Sequence, residues 1–562
     1  MWYRQGLLAV MASLCILSSG TAQLRNQDVI DLSLIVAPEY PCNWPEGFPR
    51  FRLERTRVIG RESPYNIDTL TIDGNTGTQM DVPPHSVARP ALQLPHSGPF
   101  GDEFTEKTPA WKFVGEACVI DLRELLDQGA PGVSPLVRKQ HVQAWENSHR
   151  QVGAGDVVLF RSDYTDTYYR PFPEGRRFLA EVLEKKHSGY PDPEPETMDY
   201  IASRGVFHIG TDSPSMGTLP AELADPAHLA ALKYGAIFTE GATNLGKLPA
   251  TGAFYCMMGP RHEGGPYGEG RAFAIMGSDA ERLIASARNK RVRDLSVVLS
   301  VGMPATWPGK GVDRHRHPYT KYDFAWADRL QLFHHGHIMD SHAGTHLVPP
   351  AFALPDQAIS DDAYAPEVRI VLDEYQRQFG RRGVSDQTTE KVSLSQTCGP
   401  ARLIDVTDHV GSTTRADWPA SPAITVQDIQ RYEAASGRLK AGEIVIFRTG
   451  HVDRFYRPLP EGAACLAQPI NGLSEGWPAL SAEAGMYLAD RGIQCVATDA
   501  PALGSVVEAD ALKTYWALGS RGMVGVEFLT NLADFPDDAY FLFAPVKIRG
   551  CHGGPGRAIL LY

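Results

Sequence analysis

Beyond its first 22 residues the chain has no apolar run approaching the ~20 residues that a membrane-spanning helix needs. It also lacks a surplus of positive charge: 54 Lys and Arg stand against 66 Asp and Glu, a formal net charge of −12. Neither a basic run nor a Gly-rich phosphate loop offsets that balance, which argues against nucleic acid as a partner. Cysteine is sparse, eight in 562 residues, and no CxxC spacing occurs. Neither a zinc knuckle nor a dense disulfide framework is therefore indicated. Cys15 apart, the seven others (Cys42, Cys118, Cys256, Cys398, Cys465, Cys495 and Cys551) are an odd number, which leaves at least one thiol unpaired within a monomer. Low-complexity tracts and Asn-x-Ser/Thr sequons are absent too.

What is present is the composition of a globular protein, 43% hydrophobic and 21% charged. At 562 residues it is too long for one ordinary core, and two to four domains are expected. The N-terminus stands apart: Arg4, then the apolar stretch LLAVMASLCILSS, then Gly-Thr-Ala at 20–22. A basic start, a short apolar middle and small residues at the end are the layout of a cleaved export signal. A membrane anchor is the alternative, and the apolar run is short for one. The expected location is secreted or periplasmic, with no membrane attachment after cleavage of residues 1–22.

The chain repeats itself. AGDVVLFRSDYTDTYYRPFPEG (154–175) reappears as AGEIVIFRTGHVDRFYRPLPEG (441–462), GVFHIGTDSPSMG (205–217) as GIQCVATDAPALG (492–504), and TEGATNL (239–245) as VEFLTNL (526–532). DLS…WP recurs from Asp31 to Pro45 and from Asp294 to Pro308, and GRAFAIM (270–276) pairs with GRAILLY (556–562). So many segments in the same order mean a tandem duplication. Residues 23–277 form one unit, 278–291 read as a helical linker, and 292–562 form the second unit. Short β-rich runs (VVLF, IVIF, VFHIG) among helical stretches predict an α/β unit whose strands are buried on both faces. Two copies of one unit further suggest a pseudo-two-fold pair, a fused version of a homodimer, and leave open whether whole chains pair again.

The most suggestive stretch is NTGTQMDVPPH (75–85), whose counterpart is HAGTHLVPPAF (342–352). Overlaid, they place His or Asn, Gly, His or Gln, Asp or Val, Pro, and His or Phe at alternate positions. In an extended segment such residues share one face, so imidazoles and a carboxylate would line one edge, as a divalent cation requires. The Gly allows close backbone approach, and Pro83 and Pro350 stiffen the exit.

This pattern resembles the HxGTHxDxPxH motif of the cyclase-like metal-dependent hydrolases, the family of bacterial kynurenine formamidase and isatin hydrolase. The family also pairs a later His with a Glu twelve residues on, and His228 and Glu240 have that spacing. TDSPS (211–215) and the DLS…WP opening are similar to family features as well. The resemblance covers essentially the whole chain past the export segment, twice, and implies the family's swivelling β/β/α fold in each copy.

Neither copy matches in full. The first has Asn75 and Gln79 where the motif has histidines but keeps Asp81, His85, His228 and Glu240. The second keeps His342, His346 and Glu527, while Val348, Phe352 and Tyr515 replace the Asp, the last His and the downstream His. The resemblance implies one divalent ion in the first copy, Mn²⁺ or Zn²⁺, on Asp81, His228 and Glu240 with the Gln79 carbonyl, and His85 as acid/base. His342, His346 and Glu527 would then be a vestigial site, to which the HHGH cluster (334–337) could add imidazoles. Trp44, and by position Asn75, would contact substrate, with a core tryptophan as the alternative for Trp44, whose counterpart is Trp307. Arg161 and Arg448 read as loop-fixing residues, and Thr211 and Asp212 as support. The expected function is hydrolysis of a small amide, formamide, lactam or lactone. A metal-free binding or scaffold protein and a non-hydrolytic cyclase or lyase remain alternatives.

Overall fold

The computed structural model describes residues 26–45, 47–220, 223–308, 319–327 and 332–562. The expected export segment, 1–22, lies outside them. Among the described residues no helix is long and apolar enough to cross a membrane. All seven described cysteines are buried free thiols.

The first copy contributes β1 (Val29–Asp31), β2 (Arg52–Arg57), β3 (Ile67–Asp73), β4 (Gln79–Asp81), β5 (Val114–Asp121), β6 (Asp156–Arg161), β7 (His208–Thr211), β8 (Ile237–Glu240), β9 (Phe254–Met258), β10 (Tyr267–Glu269) and β11 (Arg271–Ile275). Nine of these form one sheet in the order β1-β11-β9-β5-β6-β7-β8-β4-β10. Strands β5, β6, β7 and β8 run parallel and are almost wholly buried, which is why VVLF and VFHIG read as unbroken apolar runs. Because β10 and β11 are one chain segment interrupted only at Gly270, the two ends of the sheet are joined and it closes on itself.

The second copy repeats this plan with β12 (Val292–Asp294), β13 (Thr320–Ala327), β14 (Leu332–Asp340), β15 (His346–Val348), β16 (Cys398–Asp405), β17 (Ile444–Arg448), β18 (Cys495–Thr498), β19 (Val524–Glu527), β20 (Tyr540–Pro545) and β21 (Gly554–Leu561). Its eight-stranded sheet runs β12-β21-β15-β19-β18-β17-β16-β20, and an added β21–β20 pairing closes it. The repeated DLS and GRA motifs now have a reason: Arg271 pairs with Asp31 at 2.9 Å and Arg557 with Asp294 at 2.5 Å, each tying a copy's last strand to its first. The segment between the copies holds helix α2 (Ser278–Arg288), whose Ala280, Leu283, Ile284 and Ala287 join a core containing residues of both sheets.

A four-stranded sheet, β13-β14-β3-β2, joins the copies. Asp73 lies opposite Gly336, Thr71 opposite Ile338, and Thr69 opposite Asp340. Asp340 is the repeat counterpart of Asp73, and Gly336 that of Thr69, so the pairing is symmetric about Thr71 and Ile338. That is the isologous contact of a two-fold dimer, made within one chain.

Candidate metal centre

Strand β4 lies between β8 and β10, antiparallel to both, with Gln79 opposite Glu240 and Glu269 and Asp81 opposite Phe238 and Tyr267. Gln79 and Asp81 therefore share one face, while Met80 points the other way into the core. The glycine of the motif is needed: Gly77 has φ +70°, and a Cβ there would meet the Val36 side chain at 2.7 Å. The extended course ends sooner than the alternation predicts. Prolines 83 and 84 offer no N–H to the ladder, and Pro83–His85 forms a single 3₁₀ turn closed by bonds from His85 N to Val82 O and Ser86 N to Pro83 O. That turn folds His85 back over Asp81.

Helix α1 (Ala224–Leu232) supplies His228. Its Nδ1 bonds the Ala224 carbonyl at 3.0 Å, so Nδ1 carries a proton and Nε2 is the atom turned to the site. Nε2 lies 3.5 Å from both Asp81 Oδ2 and Glu240 Oε1. His85 Nε2 is 3.8 Å from Asp81 Oδ2. One donor atom each of Asp81, His85 and His228 falls within 4.8 Å of the others, the one such cluster among the described residues.

Asp81 is the informative member. It is 1% exposed, and neither of its oxygens has a hydrogen-bond partner. A bare buried carboxylate costs several kcal/mol unless positive charge faces it. Here the charge is on His228: burial opposes protonation, but Asp81 and Glu240 outweigh it and hold the imidazole well above its ordinary pKa. Burial, aided by the Asp81 charge, raises Glu240. His85 goes the other way, down to about 3, because burial and the His228 charge both disfavour its protonated form. An acceptor-only carboxylate against two imidazoles, one of them with its other nitrogen anchored, fits a divalent cation.

Glu240 and Gln79 differ in their engagement. Glu240 Oε1 accepts the Met216 N–H and Oε2 accepts Gln79 Nε2 at 2.6 Å. Gln79 Nε2 also donates to Asn75 Oδ1 at 3.1 Å. Both amide hydrogens are thus used, and the Gln79 carbonyl oxygen is the atom left for a ligand. A small cavity of about 20 Å³ is bounded by Trp44, Asn75, Gln79, Tyr169 and Phe178, which puts Trp44 beside the two amides though none of Asp81, His85 and His228 lines that space, while Trp307 packs on Trp477 at 5.8 Å. Asp212 accepts from Ser162 and Asp163, Arg161 pairs with Asp163, and Arg448 pairs with Asp405, all away from the cluster.

The second copy is built alike but closed. His346 lies opposite Glu527, with its Nε2 3.2 Å from Glu527 Oε2. The Tyr515 hydroxyl, where His228 stands in the first copy, donates to Glu527 Oε1 at 2.8 Å. His342 Nδ1 faces Asp340 at 3.2 Å. Phe352 stacks on Tyr65 of the first copy at 4.6 Å, with Tyr515 edge-on, and the adjacent space is about 10 Å³. In the first copy the Pro84 turn instead borders a cavity of about 330 Å³ at the seam, lined from the other copy by Lys321, Asp323 and His335.

One expectation is overturned. The HHGH cluster does not serve the second copy: β14 carries it across the pseudo-dyad to the first, where His334 Nδ1 lies 2.5 Å from the Tyr267 hydroxyl and 3.5 Å from Asn75. The symmetric ladder forces this, since each inner strand begins beside the other copy's motif. Asp192 also escaped notice. It is fully buried, neither oxygen is hydrogen-bonded, and burial, with His228 opposing and Glu240 adding, pushes its pKa well up, so that it holds its proton. Its counterpart is Ala479, a difference the repeat comparison could have flagged.

Fold and site together define a duplicated α/β protein with a buried candidate cation site in its first copy. The pattern of the Cyclase family matches residues 30–218 and 293–505, more than half of the chain, and the chain belongs to that family. Its relatives include the isatin hydrolase of Roseibium aggregatum, 23% identical over 260 residues, which are 44% of this chain and 92% of that protein. The kynurenine formamidase of Erythrobacter litoralis is 27% identical over 225 residues, 40% of this chain and 82% of that protein. Among solved structures, isatin hydrolase A from Ralstonia solanacearum aligns with a TM-score of 0.37 at 24% identity, over 44% of this chain and 92% of that one.

Proposed function

We propose that this chain is an exported hydrolase that cleaves a small amide, formamide, lactam or lactone, with the first copy carrying the reaction and the second acting as its fused partner. The observation that carries the reading is Asp81, buried and without hydrogen bonds, facing His228 Nε2 and His85. Asp81 and His228 would hold one Mn²⁺ or Zn²⁺, with the Gln79 carbonyl oxygen as a further donor in place of Glu240, whose oxygens already accept from Met216 and Gln79, and oxygen-rich donors favour the harder ion. When bound, such an ion supplies Lewis-acid activation of water and of the substrate carbonyl.

The chain's own groups do the rest. His85, kept neutral by burial and by the charge on His228, presents an unprotonated nitrogen that would take the proton of the attacking water once a bound cation has replaced the His228 proton that depresses its basicity. It then returns that proton to the leaving nitrogen or oxygen as the C–N or C–O bond breaks. Glu240, held by Met216 and Gln79, keeps His228 oriented. Trp44, beside Asn75 and Gln79, would stack on a planar substrate. The names of the relatives, isatin hydrolase and kynurenine formamidase, support this substrate class.

The test is metal analysis of the purified protein together with hydrolysis assays on isatin, N-formylkynurenine and simple lactones, wild type against Asp81→Ala. Stoichiometric metal and turnover, both lost in the variant, are expected. Absence of bound metal under any loading condition would sink the reading. Export is checked by the mass of the mature protein, which should lack residues 1–22.

A further inference from the structure

In the first copy two amides, Asn75 and Gln79, stand where the second copy has imidazoles, His342 and His346. An amide is a usable ligand or orienting group only if its oxygen and nitrogen ends are told apart. Here the hydrogen bonds do so from both ends. At one end is the Glu240 carboxylate, which accepts from Gln79 Nε2 at 2.6 Å. At the other end is His334, 4% exposed and delivered by β14 of the second copy.

The state of His334 follows from Tyr267. The Tyr267 oxygen accepts the His335 backbone N–H at 2.8 Å, and the hydroxyl lies 2.5 Å from His334 Nδ1, within reach of the one proton it can donate. Assigning Nδ1 as the acceptor, with the ring's own proton on Nε2, serves both the Tyr267 hydroxyl and the Asn75 amide. Burial keeps the ring neutral, with its pKa down at about 3. Asn75 Nδ2 lies 3.5 Å from that same Nδ1, while Asn75 Oδ1 takes a hydrogen from Gln79 Nε2 at 3.1 Å. Reversing the polarity at His334 would turn the Asn75 amide over. Gln79 would then have to turn as well, setting its carbonyl oxygen against Glu240 Oε2, acceptor against acceptor.

We propose that His334 is a positioning residue for the first copy's centre: through Asn75 it fixes Gln79 with its carbonyl oxygen toward the ligand, so the site is incomplete without the second copy. The repeat counterpart of His334 is Ile67, which has no such group. The second copy, retaining both imidazoles, has no amide pair to orient. The proposal rests on the cation reading of the site.

The experiment titrates Mn²⁺ alone into cation-stripped, full-length protein by calorimetry, for wild type, Asp81→Asn, His334→Phe and His334→Gln, with melting temperature as the folding control. His334→Phe should weaken Mn²⁺ binding roughly 10- to 100-fold, the usual effect of removing a group that orients a ligand. His334→Gln, whose carbonyl oxygen can take the Tyr267 and Asn75 hydrogens, should bind close to wild type. If His334→Phe does not fold, Tyr267→Phe, which removes the proton that sets the tautomer, should show the weakening instead. Wild-type affinity in His334→Phe, or equal weakness in the Phe and Gln variants, overturns the positioning role. No Mn²⁺ binding by wild type overturns the cation reading itself, a separate result.

Discussion

A carboxylate as deeply buried as Asp81, with no hydrogen bond, is stable only beside positive charge. A cation that binds the native state and not the unfolded chain must raise stability, by about 2.7 kcal/mol at a hundredfold excess over its Kd. Thermal melts of wild type should therefore rise with Mn²⁺ and fall back with EDTA, and melts of Asp81→Asn should respond to neither. Asp73 makes a different statement. Burial, with the Glu269 charge adding, pushes its pKa up to about 8 from an unfolded value near 3.8. Between those values the native state holds a proton that the unfolded chain has lost, so stability falls as pH rises through that window. Asp73→Asn keeps an oxygen for the Asn75 N–H and removes the titration. Its melting temperature relative to wild type should climb from pH 4 to pH 8, by the equivalent of a few kcal/mol at most.

At the level of elements, the decisive pieces are short. The Pro83–His85 turn turns an extended edge into a pocket, and the seam strands β3 and β14 carry each copy's residues to the other's motif. Tyr65, just before β3, packs on Phe352 and Tyr515 and seals the second copy, anchored by Asn66 bonds to the Phe352 and Ala351 carbonyls. Tyr65→Ala should cost about 1–3 kcal/mol in urea denaturation through lost ring packing, while turnover in the first copy stays at the wild-type level. The alternation in NTGTQMD was legible because β4 is a true strand with one buried polar face. The return of His85 was not, because two prolines announce an end to pairing without saying where the chain goes next.

At the scale of the whole molecule, one chain has kept dimer symmetry in its backbone while letting its two sites diverge. The ladder about Thr71 and Ile338 is symmetric, yet one motif lies beside a cavity of about 330 Å³ and the other is filled by aromatic rings. If the first copy alone works, His346→Gln, which gives the second copy the amide of the first, should leave kcat and KM unchanged within error. A fall in kcat matching that of Asp81→Ala would assign the reaction to the wrong copy.

Repeats and strand burial were in the sequence, because each depends on local pattern within one copy, whereas the pairing of His228 with Glu240 was what the family resemblance implied. The better-preserved carboxylate, Asp81 rather than the familiar GTH of 344–346, was equally legible in the duplicated text. Which copy receives HHGH was not. Residues 334–337 lie eight to five positions before their own motif, and only the antiparallel register across the pseudo-dyad sends them to the other one. The orientation of Gln79 was hidden for the same reason: an amide's polarity is set by what touches both ends, and one end here is reached from the other half of the chain.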